Sequence, residues 1–200
     1  MKPNSAPSFK EYKKISLPTR RQCLALMEAH CMLANIREHS FRVMEVAVFL
    51  GERLVAAGFS LHLRLIEMGA LLHDLGKSPC LGTPHNHAEW GAAVLDDLGY
   101  LDLAQVVREH VHLNSVSADP RLMREVEVVN YADKRVLHTR VVTLEERVAD
   151  LQVRYGRNEE ALRRIAALAM KTLALEEKIF APLTLTPLDL MDPKHFRREL

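Results

Sequence analysis

Histidine and aspartate are the residues of this sequence best suited to metal chemistry, and they recur at the ends of predicted helices. The chain contains 10 His in 200 residues. Five short polar strings at successive helix ends carry the candidate ligands, which are His39, His73 with Asp74, His85 and His87, His110 and His112, and Asp133. Imidazole and carboxylate together form a nitrogen and oxygen ligand set that suits Mn, Fe, Co, Ni or Zn and also accepts Mg. The sequence therefore predicts a site for one or two divalent metal ions.

The adjacent residues His73 and Asp74 are central to this hypothesis. Neighbouring side chains inside a helix point about 100° apart, but at a helix end both can reach one ion. Asp74 has two oxygens and could bridge two ions. Lys77 would place an ammonium group where it can bind a phosphoryl oxygen. A His-Asp pair alone is more often a helix cap or a surface pair, but five such strings would each need a separate explanation.

Three strings resemble, in order, the motifs of the HD superfamily of metal-dependent phosphohydrolases. HSFRV, which begins at His39, is similar to the opening H-S-x-R-V. LLHDLGK, over residues 71–77, is similar to L-L-H-D-I-G-K, with Leu75 in place of the commoner Ile. YADK, which contains Asp133, resembles the closing A-D-K. The resemblance covers roughly residues 37–137.

Two further strings resemble a subset of the superfamily that binds two metals. The string from His87 to Gly91 is similar to H-x-x-x-G, and this spacing favours His87 over its rival His85. His110 resembles the next histidine of the subset and is preferred to His112 as a ligand. The layout is similar to that of bacterial HD proteins that hydrolyse diadenosine tetraphosphate. The GYP string of the related cyclic-di-GMP phosphodiesterases is absent.

The resemblance implies hydrolysis at phosphorus by a metal-activated water. The residues implied to hold the first metal are His39, His73, Asp74 and Asp133. The second metal would be held by His87 and His110, with Asp74 bridging. The implied catalytic residues are Asp74 and Lys77. The candidates for substrate binding are Lys77, Arg42, Arg135 and His112. For Arg42, a structural ion pair is an equal alternative.

The implied substrate is a phosphate ester or anhydride of a nucleotide or of another small phosphorylated metabolite. Two other functions stay open. One is a non-catalytic HD domain that binds a nucleotide or a partner as a regulatory module. The other is a helical interaction module without a metal. Intact ligand positions and Lys77 favour the enzyme.

The elements that must position these residues are predicted to be helices throughout. Capping boxes begin helices at Thr19 and Thr143, because each is followed three residues later by Gln or Glu. Ser60 is predicted to cap the third helix, and Asp119 followed by Pro is predicted to open the sixth. The β-branched runs at 126–129 and 141–143 are interpreted as helical from their neighbours. The predicted fold is an all-α HD-domain bundle of about seven to nine helices with a C-terminal helical extension.

Three segments describe the expected organisation of the chain. Residues 1–17 are a loose, polar lead-in, and residues 18–140 form the HD phosphohydrolase domain. Residues 141–200 form a helical extension that packs on the same domain. The apolar positions of its helices are compatible with a homodimer.

The charge balance argues against a polyanionic partner. The chain has 27 Lys and Arg against 26 Asp and Glu, a formal net charge of +1. Neither nucleic acid nor a membrane is therefore expected as a partner. No segment approaches the length of an apolar membrane helix, and three Cys without a CxxC motif fit a reducing compartment. We expect a cytoplasmic protein.

Overall fold

Eight α-helices carry most of the described chain, which comprises residues 16–117 and 119–196 of a computed structural model. The helices are α1 Arg20–Ala29, α2 Ala34–Ala56, α3 Leu63–Leu72, α4 His87–Asp97, α5 Leu101–Glu109, α6 Glu125–Lys134, α7 Leu144–Tyr155 and α8 Glu159–Phe180. Strands β1 Val136–Leu137 and β2 Arg140–Val141 form a hairpin between α6 and α7, and two 3₁₀ turns, Pro187–Met191 and Pro193–Phe196, follow α8. The all-α prediction is confirmed. Residues 1–15 of the predicted lead-in and 197–200 of the predicted extension lie outside the described residues.

Helices α2, α3 and α6 pack against one another and form the centre of the core. On α2 the apolar stripe of Val43, Val46, Leu50 and Leu54 is fully buried. This stripe has the three- and four-residue spacing of a helix with one apolar face. The three helices therefore form the centre of the packed structure. The C-terminal ends of α3 and α6 carry predicted metal ligands.

The two capping boxes form as predicted. The Thr19 hydroxyl accepts from the Gln22 backbone N–H, and the Gln22 side chain accepts from the Thr19 N–H. Thr143 and Glu146 make the same reciprocal pair at the start of α7. Each box satisfies two backbone donors that a helix otherwise leaves unpaired, and a side-chain cap contributes about 1 kcal/mol.

Two predicted helix starts are wrong. Helix α3 is capped by His62 rather than Ser60. The His62 ring accepts from the backbone N–H of Leu65, and the backbone N–H of His62 donates to the Glu125 carboxylate. Helix α6 begins at Glu125, since the carboxylate of Asp119 accepts from the Arg121 N–H and closes a local turn instead. In both cases a hydrogen bond between a side chain and a nearby backbone N–H forms in place of the expected cap.

The hairpin corrects the interpretation of one β-branched run. Residues 126–129 are helical as predicted, but Val141 pairs with Val136 in an antiparallel register. The turn between the strands places His138 at φ 56°, in the left-handed region that histidine adopts more readily than most residues. The hairpin thus turns the chain back beside the end of α6.

Helix α8 is joined to α6 and to the residue after it by two ion pairs, each between one fully buried and one partly buried side chain. Arg135 donates to Glu176 at 2.9 Å, and Lys178 donates to Glu127 at 2.9 Å. These contacts cover one side of α6 while its other side faces the candidate ligands. Among the described helices, none combines the length and the apolar character needed to cross a membrane.

Candidate metal centre

The helix ends bring the six predicted ligands into one region. His39 lies within α2, His73 and Asp74 follow α3, and His87 is the first residue of α4. His110 follows α5, and Asp133 lies in the last turn of α6. All are buried except His87, which is partly exposed. The six side chains come from five helices or from the residues that directly follow them. They therefore lie together in the interior although they are far apart in the sequence.

Their ligand atoms form two groups that share one carboxylate. His39, His73 and Asp74 each offer an atom within 4.8 Å of the others. Asp74, His87 and His110 form a second such group. Asp74 is therefore common to both groups, and the resemblance implies a bridging role for it. Asp133 lies beside the first group, with Oδ1 3.1 Å from His39 Nε2 and 3.7 Å from His73 Nε2.

Backbone carbonyls fix the orientation of three imidazoles. Nδ1 of His39 lies 2.9 Å from the carbonyl oxygen of His138. Nδ1 of His73 and of His110 lie 2.7 and 2.6 Å from the carbonyls of the residues three positions earlier. A carbonyl only accepts, so each Nδ1 carries the hydrogen. In the neutral ring, Nε2 then presents a lone pair to the interior, as metal-binding histidines require.

Two features of the donors fit a cation. His73 Nε2 is buried and has no hydrogen-bond partner among the described residues. Nε2 of His87 and Nε2 of His110 face each other at 3.2 Å. Buried polar atoms normally have partners, because leaving one unpaired costs about 1–3 kcal/mol. Divalent ions in the mixed nitrogen and oxygen set would satisfy these atoms.

The local charges keep two key ligands ready for a metal. Burial alone would raise the pKa of Asp74, but the positive charge of His73 and the neighbouring imidazoles of His110 and His87 hold that pKa well below its usual value. Burial lowers the pKa of His110 to about 4. At neutral pH Asp74 is therefore ionised and His110 neutral, which are the forms that bind metals.

His73 behaves differently. Burial acts to lower its pKa, but the neighbouring carboxylates of Asp74 and Asp133 outweigh burial and raise it. In the absence of a cation, His73 therefore holds a proton more readily than an ordinary histidine. A bound ion would replace that proton.

Two lysines accompany the carboxylates. Lys77 donates to Asp74 Oδ2 at 2.8 Å, and its side chain is 43% exposed. Lys134 is buried and donates to Asp133 Oδ2 at 2.8 Å and to the carbonyl of His110 at 3.0 Å. Lys77 is thus free to reach an incoming group, whereas Lys134 joins two parts of the centre.

Two predicted site residues, Arg42 and His112, and the rival His85 belong to neither ligand group. Arg42 pairs with Glu45 at 2.7 Å and donates to the carbonyl of Thr139 at 3.0 Å, which fits the structural alternative. His112 lines a separate cavity of about 370 Å³ beside α8. His85, the rival of His87, is exposed and lies in neither ligand group.

Arg135 also belongs to neither ligand group. Its guanidinium is fully committed inside the protein, to Glu176, to the Tyr131 hydroxyl and to the carbonyls of Val142 and Pro187. It is 1% exposed. Its donors point to α8 and to the segment after it, which fits a structural role, and substrate binding by Arg135 stays a prediction.

A cavity of about 240 Å³ opens onto the centre. Its lining includes His39, Asp74 and Lys77. The hairpin and α7 also line it and contribute His138, Arg147, Arg154 and Tyr155. Sequence reasoning assigned no role to these residues. The i, i+7 spacing of two arginines on one helix was the available signal, but which face of α7 meets the site depends on the hairpin.

Two glycines allow the close approach of the turn after α3 to α4. A Cβ on Gly76 would lie 2.2 Å from the carbonyl oxygen of His87 and 3.0 Å from the N of Gly91. A Cβ on Gly91 would in turn lie 3.2 Å from the N of Gly76. Gly76 therefore requires a residue without a side chain, whereas a Cβ on Gly91 would need its neighbours to shift by a few tenths of an ångström. This contact explains why His87 and Gly91 occur four residues apart, since it sets His87 beside Asp74.

Comparisons with known proteins agree with this arrangement. A family model described as HD domain matches residues 36–152, more than half of the chain and all six predicted ligands. An uncharacterised protein of Methanocaldococcus jannaschii is 26% identical over 159 residues, which cover 74% of this chain and 92% of that protein. No solved structure matches the chain significantly.

Proposed function

The chain belongs to the HD domain family, and we propose that it is a metal-dependent phosphohydrolase of nucleotides or other small phosphorylated metabolites. The observation that carries this proposal is the shared carboxylate. Asp74 belongs to two ligand groups, each of which also contains two histidines. Such a constellation fits hydrolysis of a phosphate ester or anhydride better than it fits a purely structural role.

The protein's own residues would prepare the reaction. Divalent ions held by these ligands would supply a water of lowered pKa and positive charge for the phosphoryl oxygens. The carbonyl contacts of His39, His73 and His110 hold the donor atoms in place before substrate arrives. Lys77 donates one hydrogen to Asp74 and has two more for a phosphoryl oxygen at the cavity. Its charge would offset the negative charge that the reaction places there.

Elemental analysis of the purified protein, followed by a phosphate-release screen over nucleotides and small phosphate esters, tests this proposal. We expect bound divalent metal and release of phosphate from at least one substrate. Asp74→Asn should lose nearly all phosphate release, because the amide supplies no bridging charge. Asp97→Asn, on an exposed position of α4, is the matched control and should retain activity.

A fully metallated protein that left every substrate of the screen intact would contradict the proposed activity. The non-catalytic regulatory domain would then be favoured. That domain would bind a nucleotide without turning it over, which equilibrium dialysis would detect.

We further propose two ions and a layout like that of the bacterial diadenosine tetraphosphate hydrolases. The second ligand group, with His87 and His110, supports this extension. His110→Asn should reduce the metal content from two ions to one, since it removes a buried donor of that group alone. A single ion in the wild-type protein would contradict the two-ion proposal and leave the one-ion activity in place, whereas two ions retained in the variant would contradict His110 as a ligand.

The cytoplasmic location and the absence of nucleic-acid or membrane partners stay predictions from the sequence. Homodimer formation also stays a prediction. Sedimentation velocity of the purified chain measures it directly.

A further inference from the structure

The α7 side of the cavity carries cationic groups that the proposed chemistry at the metal centre does not use. Arg147 and Arg154 both line the cavity that also contains Asp74 and Lys77. They lie seven residues apart and so occupy the same face of α7. Asp150, between them on that face, binds both guanidinium groups.

The pairing leaves positive charge and donors in excess. Arg147 binds Asp150 Oδ2 at 3.2 Å, and Arg154 binds Asp150 Oδ1 at 2.8 Å. Two guanidinium groups thus share one carboxylate. Nε of Arg147 is buried and has no hydrogen-bond partner among the described residues. A neutral ligand would leave this excess charge uncompensated, whereas an anion in the cavity would balance it.

The hairpin fixes one of these arginines relative to the metal centre. Arg154 donates to Nε2 of His138 at 3.0 Å. The backbone carbonyl of the same residue accepts from His39 Nδ1 at 2.9 Å. His138 therefore contacts a predicted metal ligand and a cavity arginine at once, so the ligand and the arginine keep a defined separation.

We propose that Arg147 and Arg154 bind a second phosphoryl group of the substrate, while the phosphoryl group to be hydrolysed lies at the metal centre. This inference rests on the proposed function and names its substrate class: small metabolites with two or more phosphates. Guanidinium groups bind phosphate oxygens through paired N–H donors, which makes arginine well suited to this role. A cavity of about 240 Å³ holds a compact polyanion at the base of a larger molecule.

The test measures binding rather than turnover. Alkylene diphosphonates with spacers of one to four carbons are compared, by titration calorimetry, with alkyl monophosphonates of matched length. They are not hydrolysed, and the spacer series finds the separation of the two sites. Each titration is run with saturating Mn²⁺ and again with EDTA. For at least one spacer we expect the wild-type protein to bind the diphosphonate with about tenfold to a hundredfold higher affinity than the monophosphonate. Hydrogen bonds to charged groups contribute free energies of this size.

Three variants show where the preference arises. Arg154→Gln and Arg147→Lys should each reduce it to a few-fold at most, the second by removing the planar donor fork while keeping the charge. Arg163→Gln removes an exposed cation on α8 that does not line the cavity and should leave the preference unchanged. Circular dichroism melting curves identify any variant that fails to fold. The Arg154 side chain is 41% exposed, so we expect Arg154→Gln to fold even if Arg147→Lys does not, and the test then still gives an answer.

No preference at any spacer, or a preference that survives in both cavity variants, would overturn the inference. If the protein released phosphate from monophosphates but bound diphosphonates and monophosphonates with equal affinity, the inference would be overturned. The proposed phosphohydrolase activity would be unaffected. The protein could also release no phosphate from any substrate and yet lose its preference for diphosphonates in the variants. That result would support phosphate binding by Arg147 and Arg154 and reject the proposed hydrolase activity.

Discussion

At the scale of single residues, the centre is organised around protonation. Asp74 and Asp133 are buried carboxylates whose pKa values are held well below the usual value: burial opposes ionisation, but neighbouring positive charges outweigh it. For Asp74 the main opposing charge is His73, and for Asp133 it is Lys134. These residues keep negative charge in the interior, which attracts either a proton on His73 or a cation. Metal binding and the titration of His73 are therefore coupled.

This coupling predicts how the metal affinity depends on pH. The pKa of His73 is raised in the metal-free protein, so below that pKa an ion must displace a proton. The apparent affinity should fall by up to about tenfold per pH unit as pH drops through the raised pKa, and should level off above it. His110, with a pKa of about 4, stays neutral and adds no further slope near neutrality.

Calorimetric titration with Mn²⁺ in two buffers of different ionisation enthalpy measures this effect as the number of protons released. Release should approach one at pH 6 and decline at higher pH. Binding without proton release at pH 6 would contradict the assignment of His73 as a ligand. His62→Gln, at an exposed histidine that caps α3, is the control and should not change the proton count.

At the scale of elements, the site depends on how closely helix ends approach. The turn after α3 and the start of α4 come within backbone contact through Gly76 and Gly91, which brings His87 to Asp74. On the far side, α8 holds α6 through largely buried ion pairs. The helices thus act as supports whose spacing decides the separation of the ligands.

Gly76→Ala should disrupt the second ligand group. Its Cβ would lie 2.2 Å from the His87 carbonyl oxygen, a backbone atom that cannot move away without shifting α4. We expect the stability to fall by about 1–3 kcal/mol, as overpacking does, and metal content to fall with it. Gly58→Ala is a matched control. Its φ of 98° imposes a strain of about 1–2 kcal/mol, but its Cβ would meet nothing within 4 Å, so metal content should be retained.

Elemental analysis and urea denaturation of both variants distinguish the two effects. If Gly76→Ala kept the full metal content, the close approach would not be required to position His87.

Lys178→Met should weaken the attachment of α8 to α6. It leaves the fully buried Glu127 carboxylate without its cation, and breaking a buried ion pair in this way costs about 3–5 kcal/mol. Arg163→Met breaks an exposed pair with Glu159 on the same helix and should cost about 1 kcal/mol or less. Urea midpoints measure both. Equal losses would show that the buried pair is not what holds α8.

At the scale of the whole molecule, the centre joins helices α2 to α6, which come from most of the described chain. A ligand that binds such a centre in the folded state but not in the unfolded state must stabilise the entire fold. The near-zero net charge of +1 means that attraction for phosphate arises from local groups such as Lys77 rather than from the overall field.

Metal binding should therefore raise the melting temperature. At a free metal concentration of about 100 times the dissociation constant, the stabilisation is about 2.7 kcal/mol. For a chain of this size, each kcal/mol shifts the melting temperature by about 2–4 °C. Calorimetric scans with Mn²⁺ and with EDTA measure the shift, which Asp74→Asn should largely abolish. A melting temperature indifferent to metal would contradict a centre shared among five helices.

The sequence by itself determined the helical class and the capping boxes, because these depend on periodicity and local spacing. The six candidate ligands were selected by the resemblance of their motifs to those of the HD superfamily. The sequence could not determine where α3 and α6 begin, since the His62 cap and the Asp119 turn are decided by competing local bonds and a contact with Glu125. Nor could it show that Arg135 points to Glu176, or that Arg147 and Arg154 line the same cavity as Asp74. Such long-range contacts follow from packing, and only the tertiary structure decides which side of a helix meets which neighbour.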